Sequence, residues 1–172
     1  MTPLAPTADT FVLATLVGGT GTAAAIDIAR RRIPNGLSVG LAAAGIVLAA
    51  SGLSGVSLRA SLAGLAVAFV LMLPGHVLGA TGAGDVKLFA ATGAVLGVGR
   101  VFDAFLYVAI AGGLLAVGVA LQRGRLRRTL AQTAQLCGSP REARKAVEAR
   151  AEHNRFAYGP AIAVGSVLAA LF

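Results

Sequence analysis

Between Thr10 and Leu121 the chain carries only nine Asp, Glu, Lys or Arg residues, and they separate apolar runs of membrane-crossing length. A crossing helix needs roughly 17–25 mostly apolar residues, and in hydrocarbon a helix satisfies all of its own backbone polar groups. Six runs can be drawn, over about 10–29, 37–53, 58–78, 86–98, 101–121 and 156–172. The second is at the short end for a crossing, and the fourth is shorter still and rich in small residues. The expected fold is therefore all-α: one integral membrane domain over residues 1–172, built as a bundle of about six transmembrane helices.

Composition supports this. Charged residues make up 13% of the chain, about half the share usual in soluble domains. There are 23 glycines and no tryptophan, and small residues let membrane helices approach closely. The formal charge of +8 invites a nucleic-acid reading. Most of the cations, however, flank apolar runs and orient them, so the expected partner is the lipid bilayer and not nucleic acid. The first run lacks a preceding basic region, and more runs follow it, so it reads as a retained helix and not a cleaved signal. The lone Cys137 can form no intrachain disulfide and no Cys-rich zinc site.

The cations also fix an orientation. With the N-terminus outside and six alternating spans, the inner loops are 30–36, 79–87 and the basic segment 122–155, in which residues Pro140–Glu152 read as helical. These loops hold 13 of the 15 Lys and Arg residues and leave only Arg59 and Arg100 outside. The positive-inside rule is obeyed, and the inverted orientation would put all 13 outside. The segment Ile33-Pro34-Asn35-Gly36 reads as a turn after the first span.

This orientation brings Asp27, at the inner end of span one, to the same depth as Asp85, placed in a glycine-rich loop at the inner start of span four. An ionisable residue at a membrane edge is a functional candidate by default. Two carboxylates held close cannot both ionise easily, and such a pair can act as base and acid on one water molecule. Gly82 and Gly84, lacking side chains, would let an extended peptide approach Asp85. Blander readings stand beside this one. Asp27 could pair with Arg30 three residues on, and Asp85 could cap span four or pair with Lys87.

Three segments carry a resemblance. Asp27-Ile28-Ala29-Arg30-Arg31-Arg32-Ile33-Pro34-Asn35 resembles the first active-site motif of the type IV prepilin peptidases, the A24 aspartic peptidase family. Gly82-Ala83-Gly84-Asp85-Val86-Lys87-Leu88 resembles their Gly-x-Gly-Asp signature, and Ala157-Tyr158-Gly159-Pro160 their final Pro-Tyr-Gly-Pro motif, with Ala157 in place of the first Pro. Presenilin-type proteases share the second signature, but their first aspartate follows a Tyr, where this chain has Ile26. Order and spacing fit over essentially the whole chain, and the single cysteine makes it look like the short form serving tight-adherence (Flp) pili. The resemblance implies the fold of the Gly-x-Gly-Asp aspartyl proteases in a bacterial inner membrane. It also implies removal of the short basic leader of a prepilin or pseudopilin at the cytosolic face, with Asp27 and Asp85 catalytic and no metal or cofactor. N-methylation of the product stays open.

Other residues are weighed around that pair. Lys87 could contact substrate or simply snorkel to the interface. Pro34 and Asn35 would shape the turn, while Tyr158, with Gly159 and Pro160, could anchor at the interface or line the cleft. His76 and His153 lack partners at ligand spacing. Asp9 and Asp103 fall near the outer face, and Ser38 and Ser166 lack a visible His–Asp partner for serine chemistry. The basic segment suits anionic lipid headgroups, with contact to the pilus assembly machinery as a further role. The alternative function is a catalytically inactive membrane scaffold of a pilus or secretion system. A proton-coupled transporter would need carboxylates near the midplane, and both lie at the inner edge.

Overall fold

The computed structural model describes residues 6–77, 81–122 and 158–172, and all of its regular elements are helices. They are α1 (Pro6–Arg30), α2 (Asn35–Ala50), α3 (Leu58–Val77), α4 (Ala83–Leu96), α5 (Val98–Gln122) and α6 (Gly159–Leu171). The basic segment expected over 122–155, with Cys137 and His153, lies outside the described residues apart from Gln122. The stretches Thr10–Arg30, Leu58–Val77 and Val98–Val119 are long and apolar enough to cross a membrane, and α2 and α6 are shorter apolar helices.

Helix boundaries follow from local chemistry. Arg31 stops α1 by turning to a positive φ of 51°, with its N–H donating to the Asp27 carbonyl at 2.7 Å. Pro34 (φ −64°, ψ 135°) then holds the chain extended immediately before α2. The turn expected over residues 33–36 is thus shorter than drawn: Asn35 and Gly36 already belong to α2, because a fixed proline φ suits the entry to a helix. The Ser57 side chain accepts the Ala60 N–H at 3.2 Å and caps α3. Gly97, at φ 73°, reverses the chain between α4 and α5 in a single residue. Only glycine adopts that φ without strain.

The sequence placed Asp85 in a loop ahead of its span. The structure instead draws Ala83 and Gly84 into α4, so Asp85 sits in the helix's first turn. The reason is the Gly82 N–H, which donates to Asp85 Oδ2 at 3.0 Å and starts the helix three residues earlier.

Packing places α4 at the centre. The outer helices touch in the closed order α1, α2, α3, α5, α6 and back to α1, and α4 meets all five. Each of α1, α2, α3 and α5 buries one stripe at three- and four-residue spacing: Val12, Leu16, Thr20, Ala23 and Asp27 on α1; Ser61, Gly64, Ala68 and Met72 on α3. By contrast, α4 is buried without interruption from Leu88 to Leu96, as a helix that is apolar all round should be. The outer faces carry exposed apolar side chains such as Val39, Val47, Leu62, Phe69, Phe102 and Ile110. So much exposed apolar surface suits lipid and not water.

Close approach at small residues, beside the buried Leu88 and Phe89, holds the centre. A Cβ on Gly64 would run into the Gly93 carbonyl, and one on Gly93 into the Gly64 carbonyl. Gly45 stands similarly against the backbone of Ala94 and Val95, and Gly165 against that of Val108. Ser61 Oγ crosses from α3 to donate to the Ala94 carbonyl at 2.7 Å. In lipid, such van der Waals contact and interhelical hydrogen bonds do the work that the hydrophobic effect does in water. Beyond Gly112, α5 runs on ten residues to Gln122, and Gly113 to Val117 are exposed in succession.

Candidate functional site

Asp27 closes the buried stripe of α1 and is 6% exposed. It does not pair with Arg30, whose side chain is exposed. Its Oδ2 instead accepts the Gly159 N–H at 2.9 Å, across 132 residues of chain. This contact has an electrostatic logic. A carboxylate in the last turn of a helix faces the negative end of that helix's dipole. Here the first turn of α6, a positive end, is aimed at the same carboxylate and offsets it. A Cβ on Gly159 would lie 3.0 Å from both Asp27 Cβ and Asp27 Oδ2, so a larger residue would push the two helices apart.

Asp85 is 8% exposed, on the first turn of α4, where the dipole favours a carboxylate. The capping reading is therefore correct as far as it goes: Asp85 does bind the Gly82 amide. Lys87, the other expected partner, turns elsewhere, and its Nζ donates to Asn35 Oδ1 at 3.1 Å. Gly84 faces the buried Ile33, whose Cβ would lie 3.3 Å from a Cβ at position 84. The space beside Gly84 is thus filled by this chain's own side chain, and only Gly82 of the two glycines is exposed.

The third segment joins the other two. The Gly159 amide holds Asp27, while burial, and after it the charge of Asp85, pushes the phenol of the preceding Tyr158 up. Two successive residues therefore address the two aspartates, one each. Pro160 occupies the start of α6, where a proline costs no hydrogen bond. The result is that Asp27, Ile33, Asn35, Gly84, Asp85, Lys87, Tyr158 and Gly159 all meet at one end of the bundle. His76 is nearby, with Nδ1 3.1 Å from the Thr81 carbonyl. Among the described residues, no three His, Cys, Asp or Glu side chains come together. A separate apolar groove of about 300 Å³ lies between α1 and α6, lined by residues such as Val17, Gly21 and Val164, and includes neither aspartate.

Two contributors escaped the sequence reading. Ile33 stood in the first motif but was given no contact, and Gly112 carried no signal beyond being one of many glycines in apolar runs. Gly112 lies under the Tyr158 ring: a Cβ there would be 2.6 Å from Cε2 and 2.7 Å from the hydroxyl oxygen.

The fold and site define a helical protein with an apolar exterior and two buried carboxylates brought to one end. The sequence over residues 14–117 matches the model of the type IV leader peptidase family. That is more than half of the chain, and the chain belongs to this family; its role is in general that of a leader peptidase. The match covers the segments around Asp27 and Asp85 but ends before Tyr158. Searches of curated proteins and of solved structures returned no match.

Proposed function

We propose that this chain is an aspartic endopeptidase that removes the short basic leader of type IV prepilins or pseudopilins, of the tight-adherence type, at the cytosolic face of a bacterial inner membrane. Its six helices then span the bilayer as one domain, with the N-terminus outside and the fold of the Gly-x-Gly-Asp aspartyl proteases. The observation that carries this reading is the meeting of three distant segments at two buried carboxylates, each tied by a backbone amide.

In this mechanism one carboxylate, ionised, takes a proton from a water molecule held between Asp27 and Asp85. The water oxygen attacks the scissile carbonyl carbon. The other aspartate, protonated, gives its proton to the carbonyl oxygen, so the tetrahedral intermediate forms as a neutral diol. As that diol collapses, the ionised aspartate takes a proton from one hydroxyl, the C–N bond breaks, and the leaving amine takes up the proton held by the other aspartate, so the pair ends singly protonated as it began. Lys87 and Asn35 hold the segment after α1 against the first turn of α4, and Tyr158 and Gly159 hold the pair from the α6 side. Contact with the pilus assembly machinery belongs to the basic segment 122–155.

The test is leader removal from a co-expressed precursor. Asp27→Asn and Asp85→Asn keep nearly the same shape and should each abolish cleavage while the protein still inserts. Full cleavage by either variant would rule out the pair. A catalytically inactive scaffold would show no cleavage with the wild-type chain either.

A further inference from the structure

Gly112 lies on α5, outside all three sequence segments, yet it is what the Tyr158 ring rests on. We propose that Gly112 is a positioning residue for the peptidase reaction, setting the Tyr158 ring next to the Gly159 amide that holds Asp27. This rests on the aspartic-peptidase reading above.

The neighbouring glycine gives the contrast. A Cβ on Gly112 would lie 2.6, 2.7 and 2.8 Å from Cε2, the hydroxyl oxygen and Cζ of Tyr158, whereas a Cβ on Gly113 would meet nothing within 4 Å. Real side chains do not tolerate the first set of distances, so something must move. The Tyr158 backbone is tied, because its carbonyl accepts the Ile162 N–H at 3.2 Å and the next amide holds Asp27. The atoms that a Cβ at position 112 would meet are at the far end of the ring, so it is the ring that must give. A methyl group at position 112 therefore displaces the phenol at the residue whose next amide holds Asp27. Gly112 is buried and Gly113 exposed, so the fold itself separates two adjacent residues with identical backbone propensity.

The experiment compares full-length Gly112→Ala and Gly113→Ala in membranes, each in wild-type and Tyr158→Ala backgrounds. The probe is a tagged precursor, with a short basic leader ahead of an apolar helix, that the wild-type chain cleaves. Misplacing a group by about 1 Å costs on the order of tenfold to a hundredfold in rate. Gly112→Ala should therefore lose at least about tenfold in kcat, with KM within about twofold. Gly113→Ala should match the wild type. In the Tyr158→Ala background, Gly112→Ala should cause no further loss, because the ring it displaces is gone. Wild-type kcat for Gly112→Ala, equal losses at both glycines, or the same loss in both backgrounds overturns the proposal. If Gly112→Ala fails to accumulate, adding Tyr158→Ala should restore accumulation, and failure to do so also overturns it. Asp27→Asn and Asp85→Asn run alongside. If they still cleave, the underlying reading fails; if they are inactive and Gly112→Ala is normal, only the role of Gly112 fails.

Discussion

Gly82 and Gly84 stand two residues apart, yet their missing side chains leave different spaces. A Cβ on Gly82 would lie 3.1 Å from Asp85 Oδ2, on the exposed side of the first turn, while one on Gly84 would press on the Cβ of Ile33. The atom pressed at Gly84 is close to the backbone and cannot swing away. Gly84→Val should therefore destabilise the protein by about 1–3 kcal/mol, as overpacking generally does, and a thermal melt in detergent should show it. Gly82→Ala should leave the melting temperature nearly unchanged and act on cleavage instead. A melt unaffected by Gly84→Val would mean that Ile33 does not hold α4 in place. At this scale the sequence was legible for the aspartates, because an ionisable group among apolar residues is conspicuous. It was not legible for Gly84: chemistry marks a glycine as permissive without saying whether a ligand or the chain's own side chain takes the space.

At the level of elements, α3 and α4 are joined backbone to backbone. Neither Gly64 nor Gly93 faces a flexible side chain at its closest contact; each faces the other's carbonyl. Gly64→Ala should cost about 1–3 kcal/mol or more, whereas Gly40→Ala, with nothing within 4 Å, should be neutral or stabilising by about 0.5–1 kcal/mol. Equal melting temperatures for the two variants would contradict the close crossing. Helix existence was readable from apolar run length, and the expected runs overlap all six helices of the described residues. The starts of α2 and α4 were not, because they are set by single local events: the φ of Pro34 and the Gly82 amide bonding to Asp85. The arrangement around α4 was hidden as well. An apolar helix facing lipid and one enclosed by protein have the same hydropathy, and only the continuous burial from Leu88 to Leu96 distinguishes them.

For the whole molecule, the two sides of the carboxylate pair are unequal. On one side α1 ends at Arg30, three residues past Asp27, with Arg31 and Arg32 exposed. On the other, α5 continues ten residues beyond Gly112, about 15 Å at the helical rise, and its exposed Leu114, Leu115, Val117 and Leu121 suit hydrocarbon. On the proposed reading the site stands at a step, with a water edge over α1 and an apolar wall along α5. A peptide whose charged part ends where its greasy part begins can lie across such a step without submerging its charges or leaving the bilayer. On that reading the step would also act as a ruler. Two residues inserted between the cut bond and the precursor's apolar helix, about 6–7 Å of extended chain, should shift the bond off the pair and lower cleavage about tenfold or more. Unchanged cleavage of that precursor would show that the molecule measures nothing there, and that its uneven rim is only a matter of helix length.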